Sequence, residues 1–210
     1  MKSLNIRNYN VALAISFFIA VTLFLLSYFL GYQEFFLLLN GDGGRAADYF
    51  FEYFTNAGDG LMWIGVLLIT LFVLKRKDVL PLLVSGFITS TIVTQIFKYL
   101  IVPDEPRPIK VIKDTSLIHA VPGVELHSIS SFPSGHTGTA FCFYILFCLL
   151  LNKSWWLAVG LVFALLVAYS RVYLAQHFPF DVAGGILVAI ISMIISVKIQ
   201  QWWWKRKQKF

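Results

Sequence analysis

The residues of this chain best suited to chemistry fall in three short stretches. Lys98 is followed by Pro-Asp-Glu-Pro-Arg-Pro at 103–108, Ser131-Phe-Pro-Ser-Gly-His136 comes next, and Ser170-Arg171 leads through His177 to Asp181. Phosphoryl transfer depends on positioning and on cations that stabilise charge over the equatorial oxygens, and Lys98, Arg107 and Arg171 suit one phosphate. Pro133 favours a helix start, so Ser134, Gly135 and His136 would offer free backbone N–H groups at a positive helix end. Gly135 would let an anion approach the backbone closely. Taken alone, that tetrapeptide reads more simply as a helix cap. Pro179 suits the first turn of another helix, which puts His177 just before it and Asp181 four residues on. A carboxylate there can orient one imidazole nitrogen and leave the other free to attack phosphorus.

Apolar stretches at about 11–30, 61–74, 79–101, 137–151, 155–174 and 180–199 must position these residues, against a requirement of roughly 20 residues per membrane crossing. The 210 residues are 58% hydrophobic and 13% charged, with a mean hydropathy of +0.75, which places the chain in a membrane. No linker composition and no internal repeat divides it, so residues 1–210 read as one domain with its motifs within 98–181. The first run is longer than a signal-peptide core and lacks a small-residue cleavage site beyond it, which makes it a membrane anchor.

Cytoplasmic loops hold the excess of Lys and Arg. Lys2, Arg7, Lys75, Arg76, Lys77, Lys153, Lys198, Lys205, Arg206, Lys207 and Lys209 fall on one side, against Arg45, Lys98, Arg107, Lys110, Lys113 and Arg171 on the other. The expected fold is therefore all-α, a polytopic six-transmembrane-helix bundle with both termini cytoplasmic and the three motifs on the opposite face. The net charge of +6 follows from this asymmetry and not from a nucleic-acid surface. Trp202, Trp203 and Trp204 before the basic tail read as an interfacial belt. The outer segment 31–60 carries the aromatic stretch Tyr49 to Phe54, read either as an amphipathic interfacial helix or as a loop packed on the bundle. Cys142 and Cys148 read as small core or lipid-facing residues, and His119 and His127 as loop residues without metal-ligand spacing.

Lys98…Arg107-Pro108, Pro133-Ser134-Gly135-His136 and Ser170-Arg171-x5-His177-x3-Asp181 together resemble the type 2 phosphatidic acid phosphatase superfamily. Its members are lipid phosphatases, with soluble relatives among the vanadium haloperoxidases, and generally need no metal. The resemblance implies that His177 attacks phosphorus, that Asp181 holds and polarises it, and that His136 protonates the leaving lipid oxygen. Lys98, Arg107 and Arg171 would clamp the phosphate, with Ser134 and the Gly135 N–H completing the cradle. One departure stands out: eight residues separate Lys98 from Arg107 where the family usually has six, so the intervening loop is expected to bulge without displacing either cation.

The expected activity is a metal-independent and cofactor-free phosphatase in a bacterial-type inner membrane, its site on the periplasmic or extracytoplasmic face. Substrate candidates are an isoprenoid carrier diphosphate, a lipid A phosphate, phosphatidylglycerol phosphate and phosphatidic acid. Expected partners are the lipid phosphate and membrane lipids, with no nucleic acid and the oligomeric state open. Alternatives are a phosphotransferase using the same histidine and a non-catalytic lipid-phosphate binding or transport protein. A soluble vanadate-dependent oxidase leaves about six lipid-compatible helices unexplained.

Overall fold

Apolar runs bounded by polar caps and prolines become helices in the computed structural model, which describes residues 4–208; Lys2 and Lys209 lie outside the described residues. In chain order they are α1 (Ile6–Leu30), α2 (Tyr32–Leu39), α3 (Arg45–Phe54), α4 (Met62–Leu68), α5 (Leu80–Ile96), α6 (Pro108–Val111), α7 (Gly135–Leu150), α8 (Trp156–Tyr173) and α9 (Pro179–Lys207). Wider π-helical stretches continue α4 over Ile69–Val73 and α5 over Phe97–Ile101. No strand occurs among the described residues. Asn5 caps α1 by accepting the Asn8 N–H at 3.0 Å, and prolines stand in the first turns of α5 and α9, where a missing N–H costs nothing.

Four helical stretches are long and apolar enough to cross a membrane, namely α1, Lys77–Ile101, α8 and α9, and they mark an integral membrane protein. A fifth candidate is a bent pair, Arg45–Gly58 and Met62–Val73, whose halves meet at 64°. The run expected at 61–74 is thus the second arm of a broken unit. At 16 residues α7 is shorter than a typical crossing. Length and composition alone therefore give four crossings, or five with the bent pair, against the six expected.

Burial explains the odd composition of α7. All but Gly135, His136 and Phe147 of its residues are buried, so a helix apolar all round sits at the bundle centre, packed by α1, α8 and α9. By contrast α1 buries only Asn8, Tyr9, Ala12, Ser16, Ala20 and Ser27 and leaves Phe17, Phe18, Tyr28 and Phe29 exposed, as suits a lipid-facing helix. The segment expected to be an interfacial helix or a packed loop is two helices, α2 and α3. Phe51 is buried while Tyr49 and Tyr53 are exposed, so α3 is amphipathic. Cys142 and Cys148 are both free and buried.

At the end of the bundle away from the motifs, the buried Gln200 side chain accepts the Leu82 N–H at 3.0 Å and donates to the Asp78 carbonyl at 2.9 Å. This ties the start of α5 to the end of α9. Nearby, Arg206 lies 4.3 Å from the Trp202 ring and Lys207 4.2 Å from the Trp203 ring, so belt and basic tail are one cation–π unit.

Candidate active site

Close contact between α7 and α9 brings the second and third motifs together. A Cβ on Gly185 would clash with the Ser134 carbonyl oxygen, so only glycine lets these helices approach. The Ser134 N–H in turn donates to the Asp181 carbonyl at 3.0 Å. The third motif is folded by the end of α8, where the Arg171 carbonyl accepts both the Gln176 N–H at 2.9 Å and the His177 N–H at 3.1 Å. That tight reversal seats His177 just before α9 with 2% of its surface exposed.

His177 Nδ1 lies 3.5 Å from Asp181 Oδ2 and has no hydrogen-bond partner. The Asp181 carboxylate is instead held by the Ser131 hydroxyl and by the Phe178 N–H at 2.9 Å, the latter closing the first turn of α9. The sequence thus brings the expected pair together at ion-pair range, while the carboxylate's hydrogen bonds go elsewhere. Burial, and then the nearby charges of Arg107, Arg171 and Lys98, hold the His177 imidazole well below the usual histidine range. At neutral pH it is uncharged, the form in which a ring nitrogen can act as a nucleophile.

The cations are arranged unequally. Arg171 is buried and donates from Nη1 to the Thr55 hydroxyl at 2.6 Å, while its Nε has no partner. Arg107 is also buried, but it donates to the Ile129 carbonyl at 2.9 Å, the Gln176 carbonyl at 3.0 Å, Gln176 Oε1 at 3.1 Å and the Ser130 carbonyl at 3.4 Å. It straps loop 128–130 to the segment bearing the histidine as well as lending charge. Lys98, on the π-helical end of α5, and Arg107 line one cavity of about 410 Å³ with Tyr99, Glu125 and His127. The longer spacing between them is taken up by a turn in which Asp104 adopts φ 58°. Bonds from Ser131 N–H to the Glu105 carbonyl and from Arg107 N–H to the Ser128 carbonyl, at 2.9 and 3.0 Å, clip this loop down.

Ser134 behaves as the N-cap of α7, accepting from the Thr137 N–H at 3.5 Å and the Thr137 hydroxyl at 2.9 Å. Gly135 and the half-buried His136 stand at the wall of a second cavity of about 750 Å³ between α4, α5 and α7. Leu67, Leu83, Val84, Phe87 and Ile88 make this cavity largely apolar.

Other partners were not legible in the motifs. Gln176 and Thr55 are buried and hydrogen-bonded to the site arginines, yet nothing in their spacing marks them. His119 was expected to be a loop residue without metal-ligand partners. Its Nε2 lies 2.9 Å from Asp48 Oδ1, and ligand atoms of Asp42, Asp48 and His119 fall within 4.8 Å of one another. Tyr173 donates to Asp48 at 2.6 Å, and Asn40 donates to the Val172 and Tyr173 carbonyls at 3.0 and 2.9 Å. The cluster therefore buttresses the end of α8 from outside the cation-lined centre.

The fold and the site define an integral membrane protein that gathers a buried imidazole and three cations at one end of an α-helical bundle. The sequence profile of the PAP2 superfamily matches residues 79–205, and the chain belongs to that superfamily. An undecaprenyl-diphosphatase of Sulfolobus acidocaldarius is 27% identical over 172 residues, covering 80% of this chain and 77% of that protein. The undecaprenyl-diphosphatase BcrC of Bacillus subtilis is 35% identical over 109 residues, 51% of this chain and 49% of that one. The crystal structure of Aquifex aeolicus LpxE aligns with a TM-score of 0.66 at 33% identity, covering 79% of this chain and 93% of that chain. The chain is an enzyme, a hydrolase of phosphoric esters.

Proposed function

We propose that this enzyme removes phosphate from a membrane lipid phosphate or diphosphate through a phosphohistidine on His177. The observation that carries the reading is the meeting of two environments at one end of the bundle. A neutral, buried imidazole lies among Lys98, Arg107 and Arg171, and beside it opens an apolar cavity with His136 at its wall. A phosphate suits the first environment and a hydrocarbon chain the second.

In this mechanism Nε2 of His177 forms a bond to phosphorus as the bond from phosphorus to the leaving oxygen breaks. His136 gives its proton to that oxygen. Water, deprotonated by His136, then attacks the phosphohistidine and frees phosphate and the imidazole. Asp181 favours the tautomer with the proton on Nδ1, which leaves the Nε2 lone pair free. The three cations offset charge on the transferring group, and Ser134 with the Gly135 N–H borders it at the start of α7.

Two of the three named relatives are undecaprenyl-diphosphatases, and the apolar cavity agrees with a polyisoprenoid tail, so an isoprenoid diphosphate is the substrate proposed first. The distribution of Lys and Arg supports six crossings in a bacterial-type inner membrane, both termini cytoplasmic and the site on the extracytoplasmic face. The test is release of inorganic phosphate by the purified enzyme in detergent with chelator present. An isoprenoid diphosphate is compared with phosphatidic acid, phosphatidylglycerol phosphate and a lipid A phosphate. The expected result is turnover of the isoprenoid diphosphate that His177→Ala abolishes. Full turnover by a folded His177→Ala protein would overturn the reading.

A further inference from the structure

Residues Thr55-Asn-Ala-Gly-Asp59 precede α4 and lie outside the stretch matched by the superfamily profile. They nevertheless touch two of its motifs. The buried Thr55 hydroxyl accepts from Arg171 and also from the Ser170 hydroxyl at 3.0 Å. Gly58 is pressed against the start of α7, where an added Cβ would lie 2.8 Å from the His136 carbonyl oxygen and 3.1 Å from the His136 Cβ. Asp59 follows directly and lines the apolar cavity beside His136, the one acidic residue among the described residues that do so. Its Oδ1 accepts the Leu61 N–H at 2.7 Å, which fixes the side chain's direction.

We propose that residues 55–59 form a fourth part of the active site, in which Thr55 positions Arg171 and Asp59 is a positioning residue whose charge favours the protonated form of His136. This rests on the reading of His136 as proton donor. The charged and titratable groups around His136 are Arg171 from α8, Lys98 from the end of α5, Arg107 from the loop beyond it, His177 from before α9, and Asp59 from the turn into α4. Burial, and then Arg171 and the other cations, push the His136 imidazole well below the usual histidine range, whereas an acid catalyst must carry its proton when the leaving oxygen departs. Asp59 is the opposing charge in this set. It transfers nothing itself: the proton passes from His136 to the oxygen that keeps the electron pair of the broken bond.

The test is the pH profile of kcat, which reports the substrate complex, together with KM, for phosphate release from an isoprenoid diphosphate by the full-length enzyme in detergent. Asp59→Asn removes the charge but keeps a residue that caps a helix about as well, and Asp59→Ser serves the same purpose if the first variant folds poorly. The alkaline limb, where His136 loses its proton, should move to lower pH by roughly one unit, and Asp59→Glu should restore it. Thr55→Val should raise KM several-fold, leave the limb in place and be rescued by Thr55→Ser. A folded Asp59→Asn enzyme with the wild-type limb would overturn the role of Asp59, and an unchanged KM in Thr55→Val that of Thr55. Full activity in His136→Ala would instead overturn the proton-donor reading beneath both.

Discussion

Replacing Gln176 by Leu isolates the strap that joins Arg107 to the nucleophile's segment. The buried Gln176 accepts at Oε1 from the buried Arg107 at 3.1 Å, and its Nε2 donates to the carbonyl of the exposed Glu125 at 2.8 Å. Losing a hydrogen bond to a charged group costs about 1.5–3 kcal/mol, and losing the neutral one about 1 kcal/mol more. If Arg107 loosens by the first amount where it meets phosphate, kcat/KM falls roughly 10- to 150-fold. Most of the loss should appear in KM, because the charge serves binding before any bond changes. The assay is initial-rate phosphate release against isoprenoid diphosphate concentration, with thermal unfolding in the same detergent to confirm folding. A folded Gln176→Leu enzyme with KM and kcat within about twofold of wild type would refute the role of the strap.

Three further outcomes follow from the same geometry. Gly185→Ala forces a methyl against the Ser134 carbonyl and should lower stability by about 1–3 kcal/mol, seen as an earlier thermal transition. Ser131→Ala frees Asp181 from its hydroxyl donor and should lower kcat about tenfold or more with little change in KM; an unchanged kcat contradicts this. His177 is held neutral in the folded state, against an unfolded pKa of about 6.5, so its contribution to stability is present above that pH and lost as pH falls below it. Between pH 7 and 5.5 wild type should lose about 1 kcal/mol more stability than His177→Gln, measured by unfolding at each pH.

How much of this was legible in the sequence depended on whether the signal was local. Pro133 and Pro179 mark the starts of helices that begin within two residues of them, and the spacing from His177 to Asp181 becomes a facing pair. The positions of six apolar runs are likewise visible, because each run becomes helical. What one dimension could not reveal was which run is central. The short α7 looks like a weak membrane span by length, and only packing by α1, α8 and α9 explains it.

Partners distant in sequence were equally hidden. Thr55 meets Arg171 and Asp48 meets His119 across more than 70 residues, and neither pair has a spacing that any local rule reads. Arg107 was expected as a clamp from its charge. Its carbonyl partners are backbone groups, whose placement depends on how loop 128–130 and the end of α8 fold over it.

The central claim is that phosphate passes through His177, and the most direct measurement is to trap it there. Wild-type enzyme is mixed with isoprenoid diphosphate labelled in its terminal phosphate, quenched in alkali within milliseconds, and digested for peptide mapping. Intermediate caught before its hydrolysis should leave acid-labile, alkali-stable label on the peptide containing His177, and none in the His177→Ala enzyme. Label on another residue, or phosphate release that continues in the folded His177→Ala enzyme, would contradict the account.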